Sequence, residues 1–169
     1  MLNTSDITRP LIGNRFRTST YARDGSDYDT VKLEPGRTWA VRLQEPGTIQ
    51  HMAFKILSEL PNHPILRDIQ LLIWFDEEEI PQVNAPLGDF FSLGHGSFHY
   101  VNSHAFDVVP EEDPDTGESL AGHGFLNYWL PMSFKDGVRL ELRNLGEVNV
   151  ELGAYVDGIR LPPDHEISD

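Results

Sequence analysis

Hydrophobic and polar residues alternate along much of this chain. In the run RTWAVRLQ, residues 37–44, Trp39, Val41 and Leu43 share one face while Arg42 points to the other. In VRLELRN, Val138, Leu140 and Leu142 point one way and Arg139, Glu141 and Arg143 the other. Val148, Val150, Leu152, Ala154 and Val156 repeat the pattern in VNVELGAYVDG. A period of about 2, not about 3.6, predicts strands. One run departs from simple alternation. In DIQLLIWFD, Ile69, Leu71, Ile73 and Phe75 share a face, and Leu72 and Trp74 make the opposite face apolar too. Such a strand is covered on both sides, with a sheet expected on one and a neighbouring subunit on the other.

Turn signals separate these runs: EPG at 34–36 and again at 45–47, LPNHP at 60–64 and LPPDH at 161–165. The strands predicted are 37–44, 48–56, 68–76, 98–102, 105–109, 126–131, 137–144 and 147–157. A short helix near 54–60 competes with the strand reading there. About eight short antiparallel strands point to an all-β fold, a single jelly-roll β-sandwich. It would occupy 1–169 as one domain, with a core over about 15–157 and short terminal arms. Residues 77–97 and 110–124 read as loops, where function usually sits on a β scaffold.

Composition narrows the picture. The 14 glycines and 12 prolines fit frequent turns. With 27 acidic and 13 basic residues the formal net charge is -14. Nucleic acid and anionic membrane surfaces are therefore poor partners, because both would be repelled. The chain has no cysteine, which excludes disulfides, thiolate metal sites and cysteine nucleophiles. Its start, MLNTSDITRPLIGNRF, has no basic stretch followed by an apolar run, and no segment approaches the roughly 20 apolar residues of a membrane span. The expected location is the cytoplasm.

The order of motifs is more specific. RTSTYARDGSDYDTVKLEPGRT at 17–38 precedes EPGTIQHMAF at 45–54 and IWFDEEEIPQVNAPLGDFFSLGHG at 73–96. NYWLPMSF at 127–134 and VRLELRN at 138–144 follow. This series resembles glycoside hydrolase family 172, formerly domain-of-unknown-function family 2961, collinearly over about 15–157. The resemblance implies a jelly roll. Usual members carry two in tandem, assemble as trimers or trimer-based hexamers, and act on α-linked fructofuranose and arabinofuranose. This chain resembles the first jelly roll only. The family's catalytic glutamates lie in the second, in a Gly-Glu-Gly-Asp segment and a Gly-Thr-Glu-Asp-Tyr-Phe segment. Set against the latter, PLGDFF puts Gly88 at the glutamate position and Asp89 at the acid after it. No Gly-Glu-Gly-Asp segment occurs in the chain.

Glycoside hydrolysis needs two carboxyl groups, about 5–5.5 Å apart for retention and about 6.5–9.5 Å for inversion. Glu78, from the DEEE run at 76–79, and Asp89 are the candidate pair. The plainer reading is a solvated acidic turn and a loop-tying aspartate. Arg17, His95, His99 and Trp74 are candidate substrate contacts, and Arg17 is a possible bidentate partner of Asp89. Phe90 and Phe91 are neighbours, so one should face inward and the other outward as a subunit anchor. A His-x-His pair is absent and DPDTG at 113–117 lacks the later glutamate of a calcium loop, so neither a metal nor a cofactor is expected. Two functions follow. The favoured one is an oligomer-forming scaffold, a homotrimer or hexamer without the family's catalytic glutamates. The alternative is a carbohydrate-active or sugar-binding protein with its site at a subunit boundary.

Overall fold

A computed structural model describes residues 13–26 and 29–162. Twelve strands run through them and pair into two antiparallel sheets. The larger has eight strands. Its main path is β1 (Asn14–Ser19), β12 (Val150–Arg160), β4 (Gly47–Ser58), β9 (Ser119–Tyr128), β8 (Phe106–Glu112) and β7 (Val101–Asn102). Off this path, β2 (Val31–Leu33) pairs with β12, and β10 (Met132–Phe134) with β4. The smaller sheet orders its four strands as β3 (Thr38–Leu43), β11 (Val138–Asn144), β5 (Ile69–Phe75) and β6 (Val83–Pro86). Successive strands cross between sheets: β3, β4 and β5 go small, large, small, and β10, β11 and β12 go large, small, large. Early and late strands thus lie side by side in both sheets, the rolled ladder of a jelly roll.

The alternation read from the sequence sets which side chains meet between the sheets. Met52, Phe54 and Ile56 of β4 and Leu152, Ala154 and Val156 of β12 pack against Leu71 and Ile73 of β5 and Leu140 and Leu142 of β11. Phe54 is 1% exposed, and truncating a buried phenylalanine to alanine costs about 3–5 kcal/mol. The outer face of β5 is closed within the chain. Arg139, whose Cα pairs with that of Trp74, lays its guanidinium 3.7 Å from the Trp74 ring centroid. Glu141, opposite Leu72, holds Arg143 by hydrogen bonds of 2.6 and 2.8 Å. The covering subunit expected over this face is therefore supplied by β11.

Other expectations shift at the strand ends. No helix forms over 54–60, because Met52, Phe54, Ile56 and Ser58 are all buried on one face of a strand that continues to Ser58. The strand expected at 126–131 begins at Ser119, and the one at 98–102 shrinks to Val101–Asn102. The loop expected at 110–124 is mostly a hairpin between β8 and β9, closed by the DPDTG turn. Asp113 accepts backbone N–H bonds from Asp115 and Thr116 at 2.9 and 3.1 Å there. The stretch 77–97 holds β6 and a one-turn helix, α1 (Leu87–Phe90). β1, β2, β6 and β10 had no counterpart among the expected strands.

Candidate functional site on the outer face of the larger sheet

The carboxylates singled out in the sequence do not meet. Glu78 follows the end of β5, whereas Asp89 sits on α1 beyond Pro86, which pairs with Gln70 near the start of β5. The 7 residues of β5 lie between them, on the order of 20 Å at the usual rise per strand residue. That is too far for either hydrolytic geometry. Asp89 instead accepts a 2.9 Å bond from Arg67, which also donates to the Gly94 carbonyl at 2.8 Å. It ties α1 to the 3-10 turn Ile65–Arg67, the loop-tying role. Gly88 is packed too closely to take a glutamate. A Cβ there would lie 2.8 Å from the Leu93 carbonyl oxygen and 3.1 Å from the Leu66 Cβ.

The remaining candidates scatter. Arg17 pairs with Asp157 rather than Asp89. His95 and His99 are exposed on the segment between α1 and β7. Phe91 is fully buried, and Phe90 packs half-buried against the Tyr128 ring at 5.0 Å, so neither is an outward anchor of the kind expected. Trp74 and Glu78 do come together, in a pocket of about 130 Å³ lined also by Arg42, Glu77, Asp136 and Arg139. The Arg139 guanidinium already occupies the Trp74 ring face, so that ring is not free to stack on a sugar. Among the described residues, no three His, Asp or Glu side chains are grouped to hold a metal.

A different constellation lies on the outer face of the larger sheet. Arg17 of β1 grips Asp157 of β12 bidentately, Nε to Oδ1 at 2.6 Å and Nη2 to Oδ2 at 2.9 Å. His51 of β4 continues the row, with Nδ1 3.3 Å from Asp157 Oδ2 and Nε2 3.2 Å from Asn127 Oδ1. The His51 ring stacks on Trp129 with centroids 3.9 Å apart and planes 11° from parallel. The hydrogen bond from Arg17 is the main force holding the Asp157 carboxyl below its ordinary range. Burial opposes it, and His51 assists. A register shift at Asp157/Gly158 adjoins this row, as bulges often adjoin functional side chains.

Beside the row lies a pocket of about 100 Å³. Small residues, Ala53 and Gly153, line it between the aromatic side chains Tyr155 and Phe125, with Lys55 and Asn127 alongside. These residues occupy the off-core positions of their strands: His51, Ala53 and Lys55 on β4, Phe125 and Asn127 on β9, Tyr155 and Asp157 on β12. They are hard to see in the sequence, because they come from three separate strands and not from one acidic loop. The available signal was the outward parity of β9, which carries Phe125 where a polar residue is the norm.

Residues 24–103 match the family model described as GH172 domain-like. The chain carries a GH172 domain-like segment. No curated protein sequence matches the chain. The GH172-like segment runs through β2 to β7 and contains Lys55, Ala53, Glu78, Gly88 and Asp89. Phe125, Asn127, Trp129, Tyr155 and Asp157 lie beyond it, as do the NYWLPMSF and VRLELRN motifs. The relation to glycoside hydrolases therefore rests on the first part of the sandwich. The outer-face constellation is completed by strands outside the match.

Proposed function

We propose that this GH172-like protein is a carbohydrate-binding jelly roll that holds a sugar ring on the outer face of its larger sheet, without a Glu78–Asp89 catalytic pair. The observation that carries this reading is the pocket between Tyr155 and Phe125. Aromatic walls and a few polar groups are how proteins grip the apolar face and hydroxyls of a small ring. The wide separation of Glu78 and Asp89 along β5 favours binding over hydrolysis. The test is titration of the protein with furanose and pyranose glycosides, followed by NMR, alongside an aryl α-furanoside turnover assay. Saturable binding lost in Phe125→Ala is expected. Turnover abolished by Asp89→Asn would restore the hydrolytic pair and overturn the non-catalytic part.

A second reading, a homotrimer or hexamer, is favoured by a separate observation. Tyr100 and Val109, 68% and 40% exposed, neighbour one another at the β7–β8 edge of this sheet, next to Phe125 at 43%. Grouped exposed apolar side chains mark association surfaces. A strict monomer at micromolar concentration in native mass spectrometry would end that reading. No helix among the described residues is long and apolar enough to cross a membrane.

A further inference from the structure

Lys55 stands beside the Tyr155–Phe125 pocket with its ammonium 5.3 Å from the Phe125 ring centroid. Among the described residues it forms no ion pair, although the chain has 27 acidic residues against 13 basic ones. The neighbouring charges are engaged: Arg17 holds Asp157, and Glu151 accepts a 3.0 Å bond from the Thr30 hydroxyl. Asp29 also borders the pocket: its main-chain oxygen accepts from the Thr20 hydroxyl at 2.6 Å, while its exposed carboxylate places a negative charge at the rim opposite in sign to Lys55.

We propose that this pocket selects a carboxylated sugar ring, a uronic acid, whose carboxylate meets Lys55. The inference rests on the carbohydrate reading above and specifies its ligand. Tyr155 and Phe125 would flank the ring, the absence of side-chain bulk at Ala53 and Gly153 makes room for it, and Asn127 can bond a ring hydroxyl. The ammonium at the rim is the group that tells a uronate from a neutral sugar, because a charge-assisted bond is roughly twice as strong as a neutral one. The net charge of -14 repels anions at long range, but charges farther than about 10 Å are largely screened at about 0.1 M salt, which leaves Lys55 and Asp29 as the local charges and the ammonium as the group that attracts a carboxylate.

The experiment titrates the full chain with methyl β-glucuronide, methyl β-glucoside and benzoate, followed by NMR. Wild type is compared with Lys55→Gln and Gly153→Val. A Cβ at Gly153 would lie 3.2 Å from Lys55 Cβ and 3.6 Å from Thr30 Cγ2, so valine intrudes on the pocket from its base. The glucuronide is expected to bind about two- to fivefold more tightly than the glucoside, the gain an ion pair at a solvent-open rim supplies. Lys55→Gln should erase the difference by bringing glucuronide binding down to the level of the glucoside, and Gly153→Val should weaken both. Equal binding of glucuronide and glucoside would overturn the uronate inference and leave the carbohydrate reading standing. Benzoate binding as tightly as glucuronide would also overturn it, since the ring hydroxyls would then contribute nothing. If neither sugar binds, both fall. Should Gly153→Val fail to fold, the Lys55→Gln comparison decides alone.

Discussion

Asp157 joins three strands through one carboxylate, with Arg17 reaching from β1 and His51 from β4. Its carboxyl titrates below the ordinary 3.8, chiefly because Arg17 bonds the ionised form. The sign follows. A depressed folded value means the interaction stabilises the fold above the unfolded value and stops doing so as pH falls through the folded one. Because 64% of the Arg17 side chain is exposed, solvent screening holds the contribution to at most about 1 kcal/mol. Urea unfolding of Arg17→Gln against wild type should show that deficit at neutral pH and lose it towards about pH 2. A deficit that stays flat across the range would mean that Arg17 acts by packing, not by charge. Gly88 gives a second prediction at this scale. Placing the family's glutamate there, Gly88→Glu, drives side-chain atoms against Leu93 and Leu66. The expected result is a loss of about 1–3 kcal/mol in unfolding free energy with no furanosidase turnover. An equally stable variant would show that the α1 turn opens to make room.

At the level of elements, the two faces of β5 illustrate what the sequence made legible and what it hid. That β5 is covered on both sides was readable from Leu72 and Trp74. What covers it was not, because arginines on the next strand read as solvated charges when taken one strand at a time. The register pairs Arg139 with Trp74, and the guanidinium covers the indole. Arg139→Ala should therefore expose Trp74, cost about 0.5–2 kcal/mol and raise acrylamide quenching of tryptophan fluorescence. Unchanged quenching would show that Trp74 is shielded by something other than Arg139. The same limit explains the site. Long central strands such as β4, β5 and β11 were legible because one parity is consistently apolar, whereas β1, β2 and β10 are too short or too polar for parity to show. Asp89 and Glu78 looked adjacent in sequence, but β6 runs antiparallel to β5 and carries the chain back to its far end. His51, Asn127 and Asp157 come from three different strands, and their meeting is a property of register that no single run reveals.

At the scale of the whole molecule, charge and the exposed apolar group pull in opposite directions. A net charge of -14 repels a second copy, while the exposed Tyr100, Val109 and Phe125 favour one. Salt separates the two, because the Debye length falls from about 30 Å at about 0.01 M to about 3 Å at about 1 M. Screening should raise the unfolding midpoint of the single chain, since intramolecular repulsion between acidic groups weakens as well. If copies associate through the exposed group, the native mass should also climb from monomer towards trimer or hexamer as salt rises. Val109→Asp, at a position already 40% exposed, should then block the climb while leaving the rise in midpoint intact. A mass that stays monomeric at every salt concentration, with the midpoint still rising, would remove assembly and leave the acidic surface as the whole cause of the salt response. A Val109→Asp variant that assembles like wild type would instead move the contact off this sheet edge.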